Sequence, residues 1–117
     1  MSNTSEGDTL MNKLKEYGFV VGNDKSNFSE AFNGKKFSRI HIDLYSDKPY
    51  MLLSRVRELN TSVSLENGRV ILKAKDGTVL VNVLLDSIRE YAMRKGTRYY
   101  QFIVAIQGIW YKILVVL

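Results

Sequence analysis

The 117-residue chain reads as a single α+β domain: mainly antiparallel sheet, built from hairpins and a three-stranded meander, with about three helices packed on one face. Three observations lead there. Asn33-Gly34, Asn67-Gly68 and Asp76-Gly77 each separate short runs of alternating polarity, the pattern of tight hairpins. Segments around Leu10, Leu52 and Ile88 instead repeat their apolar residues at three and four, the pattern of helices. The last stretch, Phe102 to Leu117, is rich in Ile and Val and broken at Gln107, Gly108 and Lys112, which suits two more strands turning near Gln107-Gly108.

Residues 1–8 are polar, lack the apolar centre of a signal peptide, and are expected to form a flexible tail before a domain over 9–117. A first helix is expected from Asp8 or Thr9 to Tyr17, capped by Asp8, striped by Leu10, Met11 and Leu14, and stopped by Gly18. Phe19-Val20-Val21 reads as a short strand and 22–27 as a turn-like connection. Asn33-Gly34 would join a strand over Phe28–Phe32 to one over Lys35–Tyr45. In that second strand Phe37 has the opposite parity to Ile40, Ile42 and Leu44, so a β-bulge is expected near Ser38-Arg39.

Ser46-Asp47-Lys48-Pro49 reads as the start of a second helix with Leu52, Leu53, Val56 and Leu59 inward, Arg55 and Arg57 outward, and Asn60 at its exit. In the meander, counting back from each turn pairs Leu65 with Val70, Val63 with Leu72, Ala74 with Val79, Leu72 with Val81 and Val70 with Val83. Ser87 and Glu90 have the spacing of a capping box, so a third helix is expected to carry Ile88, Tyr91 and Ala92 on one side and to end at Gly96. A two-residue turn at Gln107-Gly108 would pair Ile106 with Ile109, Val104 with Tyr111, Phe102 with Ile113 and Tyr100 with Val115.

Composition narrows the chemistry. No cysteine is present, so disulfides and thiolate metal sites are excluded, and a reducing, cytoplasmic setting is the expectation. The apolar C-terminal run is shorter than the roughly 20 residues of a spanning helix, so no membrane partner is expected. The single histidine, His41, shares a strand face with Asp43, Arg39 and Tyr45, but no nucleophile or second ligand lies beside it. The acids form no Glu-x-Lys pattern of the nuclease kind, and no phosphate-cradling glycine loop occurs. The chain is therefore read as non-enzymatic, without cofactor or metal.

Seventeen Lys and Arg against twelve Asp and Glu leave a net charge of +5, which suits an anionic partner. Three basic groups stand out: Lys35, Lys36 and Arg39; Arg69, Lys73 and Lys75; and Arg94, Lys95 and Arg98 ahead of Tyr99. Clustered cations neutralise phosphates, and an aromatic ring beside them can stack on an unpaired base. The expected function is a small nucleic-acid-binding regulatory module, DNA or RNA, with Trp110 and Tyr111 offering a homodimer or partner interface on the terminal hairpin. Its rival is a protein adaptor or inhibitor, of the kind carried by mobile elements, that docks on an acidic surface. If the three groups share one surface, the binding reading gains; if they scatter, they are a solvated exterior.

Overall fold

A computed structural model describes residues 6–22 and 36–117. Among them one helix, α1 (Glu6–Glu16), precedes β1 (Val20–Val21), β2 (Lys36–Ser46), β3 (Leu52–Glu66), β4 (Arg69–Lys73), β5 (Val79–Leu84), β6 (Ile88–Lys95), β7 (Tyr99–Ile106) and β8 (Ile109–Val116). All eight strands join one antiparallel sheet in the order β1-β6-β7-β8-β2-β3-β4-β5. The expectation of an α+β domain with about three helices on a sheet is thereby corrected: the protein is mainly sheet with one short helix. The expected strand at Phe28–Phe32, the turn at Asn33-Gly34 and most of the expected tail lie outside the described residues.

Laid flat, this order would separate β5 from β6 by six strand spacings, roughly 29 Å. Only the 3₁₀ turn Leu85–Ser87 connects them, and so few residues reach about 14 Å. The sheet must therefore roll, bringing β4 and β5 over β6 and β7. Its inner face makes one core, in which Ile40, Val70, Leu72, Phe102, Val104, Ile113 and Val115 are fully buried. Each such side chain contributes about 1.5–3 kcal/mol of apolar burial. A second cluster lies outside the roll, where α1 lays Met11 and Leu14 on Ala92 and Trp110.

The second expected helix is instead β3, fifteen residues long. Its Leu, Arg and Glu content favours a helix locally, but pairing overrides propensity. Val56 faces Ile42, while Arg55 and Arg57, two apart, fall on one strand face opposite Asp43 and His41. The turn before it reverses tightly rather than starting a helix: the Ser46 amide donates to the Met51 carbonyl (2.9 Å), the Met51 amide donates to Ser46 Oγ (3.0 Å), and the Lys48-Pro49 peptide is cis.

The third expected helix is β6. The register against β7 shifts between Ile88 and Glu90, so Ile88 and Tyr91 are both buried in the core. This bulge turns a strand's spacing of two into three, which imitates a helix. Ala92 is buried for another reason, beneath α1 on the other face.

The meander pairs as expected at Leu65–Val70, Val63–Leu72, Leu72–Val81 and Val70–Val83. Asn67 and Gly68 both have positive φ (52° and 73°), as a type I′ turn requires. One expected pair fails. Val79 faces Lys73 rather than Ala74, because the second turn is longer: the Gly77 amide donates to the Ala74 carbonyl and the Ala74 amide to the Thr78 carbonyl.

Phe37 and Ile40 are both buried despite opposite parity, so β2 changes face between them. No extra residue is inserted there. The Ser38–Asn60 pair is missing from a ladder that is unshifted from Lys36 to Leu44, and Asn60 has φ 57°, a left-handed residue within β3. Beyond it Thr61 and Val63 turn inward, so a left-handed asparagine on the neighbouring strand does what a bulge on β2 was expected to do.

Candidate nucleic-acid interface

The outer face of the roll carries the cations. Because side chains alternate along each strand, the register places Arg57, His41, Leu114, Gln101 and Arg94 in one row across five strands. The adjacent row runs Arg55, Asp43, Lys112, Ile103 and Ala92, and on the other side Leu59, Arg39, Val116 and Tyr99. With strands about 4.8 Å apart and same-face neighbours about 6.8 Å apart, the Cα atoms of Arg39, Arg55, Arg57 and Lys112 lie within roughly 15 Å of one another. Arg98 sits in the β6–β7 turn beside Tyr99, and Arg98, Tyr99, Gln101, Leu114 and Val116 line a shallow cleft of about 270 Å³ that continues the patch.

Asp43 is the acid within these rows, and it is already committed. Arg57 Nη1 donates to its Oδ1 at 2.8 Å and Nη2 to its Oδ2 at 3.3 Å, while Arg55 Nε donates to Oδ1 at 3.1 Å. Burial alone would raise the Asp43 carboxyl, but the hydrogen bonds and charges of Arg57 and Arg55 outweigh it and hold it below the ordinary carboxylate value. Two guanidinium groups on one carboxylate leave a surplus positive charge, and both arginine side chains stay accessible, at 54% and 38%. His41 is pushed below its ordinary value, first by burial, then by Arg57 and Arg39, with Asp43 pulling the other way. With both its oxygens on arginines, Asp43 does not orient His41 as the partner of a general base.

The three expected basic groups do not arrive as three units. Arg39 and Arg98 join the patch, and Arg94 belongs to its rows, but the Arg94 guanidinium is occupied. It donates to Gln101 Oε1 and to the Tyr17 carbonyl (3.0 Å), and lies 4.9 Å from the centre of the Phe19 ring. That makes it a staple between α1 and the sheet rather than a ready phosphate ligand. Arg94 and Lys95 lie on the strand β6 rather than in the last turn of the third helix expected to end at Gly96. Lys95 points to the opposite face, over the Tyr100 ring at 5.7 Å. Tyr99 is half-buried, its ring packed over Gly96 so closely that a Cβ there would collide with it.

Lys36, Lys73 and Lys75 form a second basic group. Lys36 faces Ser62, which faces Lys73, and Lys36 and Lys75 line a polar cleft of about 510 Å³ with Ser38 and Asn60 at the point where β2 and β3 change face. Arg69 stands apart, across from Glu66 and bonded to Asn82 Oδ1 at 3.3 Å. Lys35 lies outside the described residues. Trp110 and Tyr111 do not lie on a free edge, since β8 has β7 on one side and β2 on the other. Trp110 is buried beneath α1 and Tyr111 packs on the main core, so the sheet edge on which their interface was expected is not there.

Sequence reasoning missed Arg55, Arg57 and Lys112. The signal was the Arg-x-Arg spacing, which aims both side chains the same way only in a strand. No helix among the described residues is long and apolar enough to cross a membrane. Compared with known protein families, curated proteins and solved structures, the chain matches none.

Proposed function

We propose that the chain is a small non-enzymatic module that binds nucleic acid through the outer face of its sheet. The observation that supports this reading is the meeting of Arg39, Arg55, Arg57 and Lys112 from three adjacent strands, with Arg98 beside them, around one carboxylate already shared by two arginines. Such a face holds several phosphates at once and gains affinity by releasing counterions. The lysines of the second group extend the positive track along the outside of the roll. Binding to a generic oligonucleotide should fall steeply as salt is raised. Arg39→Ser and Lys112→Ser should each flatten the logarithmic slope by roughly one unit. Fluorescence anisotropy against salt concentration measures both, and equal binding in low and high salt defeats the reading.

One observation favours the rival, an adaptor on an acidic protein. Among the described strands, β3 has only β2 beside it before β4 begins pairing at Ser62, and Met51, Leu53 and Leu59 are exposed along that stretch. An extended acidic segment could pair there, opposite Arg55 and Arg57. Poly-glutamate separates the two: it competes with an oligonucleotide of equal charge only if the face recognises charge on a polypeptide equally well.

A further inference from the structure

We infer that the outer face also holds an aromatic slot for an unpaired nucleobase, so that single strands are its preferred form of nucleic acid; this rests on the nucleic-acid reading above. The slot is a cleft of about 280 Å³ between α1 and the β2–β3 turn, lined by Leu10, Tyr45, Tyr50, Ile103, Trp110 and Lys112. Its placement follows from the register: Trp110 stands between Ala105 and Tyr45, and one row away Lys112 stands between Ile103 and Asp43, which faces Arg55. The aromatic cleft and the cationic patch are therefore adjacent rows of one face, about 6.8 Å apart along the strands.

Aromatic rings are fixed there before any ligand arrives. Trp110 Nε1 donates to Asp47 Oδ1 at 3.3 Å, which satisfies the indole's one donor, and the Tyr50 ring meets the indole edge-on at 6.2 Å between centres. Tyr45, Tyr50 and Leu10 are each only half-buried, so apolar and π surface is left open in the cleft. A flat ring suits that opening. A cation does not, because the charged residue lining the cleft is Lys112, with an exposed ammonium that pairs with no carboxylate among the described residues, while the nearby Asp47 carboxylate is taken by the indole N–H. The ligand chemistry that satisfies both halves is a planar heterocycle carrying an anion about one nucleotide's length away: a base in the slot, its phosphate on Lys112 and the next phosphates on Arg55 and Arg57. Paired bases cannot enter, since a duplex keeps them stacked and inside.

Trp110 is the protein's single tryptophan, so its emission reports the slot directly. Two single strands of equal length and charge, one with bases and one abasic, are titrated into the unmodified protein at low salt, with a duplex as third ligand. The base-bearing strand is expected to bind about tenfold or more tightly than the abasic strand, as stacking of one base on aromatic rings supplies, and to quench the indole. The abasic strand should keep the salt dependence of the base-bearing strand, the duplex should show a somewhat steeper one, and both should leave the emission unchanged. Tyr50→Ala should erase the preference for bases while retaining binding to the abasic strand. Equal affinity for the two single strands, or an unchanged emission with the base-bearing one, overturns the slot while leaving the phosphate-binding reading in place. If none of the three ligands binds, both fall.

Discussion

Asp43 is the residue on which the outer face turns. It is buried at 6% exposure on a surface otherwise rich in cations, and it stays charged because Arg55 and Arg57 reach it from the neighbouring strand. Removing Arg57 leaves a buried carboxylate with one donor residue instead of two. Arg57→Ala should therefore lower stability by about 1–3 kcal/mol in urea unfolding, and a variant as stable as the parent would show that the clamp contributes nothing. His41 adds a pH signature. Its folded pKa lies below the ordinary 6.5, so just under that value the unfolded chain binds more protons than the folded one, and stability drops as the pH is lowered. Asp43 adds to the fall only in stronger acid, since its stabilisation is present above the ordinary carboxylate value of 3.8 and is lost as pH drops through its lowered folded value. The melting temperature should decline as pH falls through and below the ordinary histidine value of 6.5, and His41→Gln should flatten that decline. An unchanged profile in His41→Gln would assign the decline to other groups.

At the scale of elements, turns decide the architecture more than helices do. Asn60 holds φ 57° in the middle of β3, a conformation that costs most residues roughly 1–2 kcal/mol. Asn60→Gly should be nearly neutral, whereas Asn60→Val should destabilise by that amount or more; chemical denaturation of the pair reads the difference. Arg94 tests another joint. Arg94→Ala should loosen the end of α1, seen as faster amide exchange in the helix while the central strands keep their protection.

These elements also show where the chain was readable. The hairpins at Asn67-Gly68 and Gln107-Gly108 were legible to the residue because both central positions take positive φ (52° and 73°, 49° and 79°), which fixes register locally. β3 and β6 were not. Their identity depends on partners distant in sequence, Asp43 for β3 and the Ile106–Ala105 stretch for β6, and the bulge at Arg89 disguised a strand as a helix. The site suffered the same way: Arg39 and Arg98 were visible as exposed cations, but Arg55, Arg57 and Lys112 acquire a shared face only once β2, β3 and β8 are side by side.

For the whole molecule, the roll of the sheet divides the labour. Its inner face holds the apolar core, and its outer face, partly covered by α1, is left for charge and for the aromatic cleft. Most of the cations proposed to act together come from elements that a linear reading keeps apart, so the account stands or falls on their acting as one surface. The direct test is the salt dependence of oligonucleotide binding in the parent and in Arg39→Ser/Lys112→Ser, followed by anisotropy over roughly 50–200 mM salt. The account predicts a steep logarithmic fall for the parent and a clearly shallower one for the double variant at unchanged melting temperature. Identical slopes in the two proteins, or binding indifferent to salt, would contradict it.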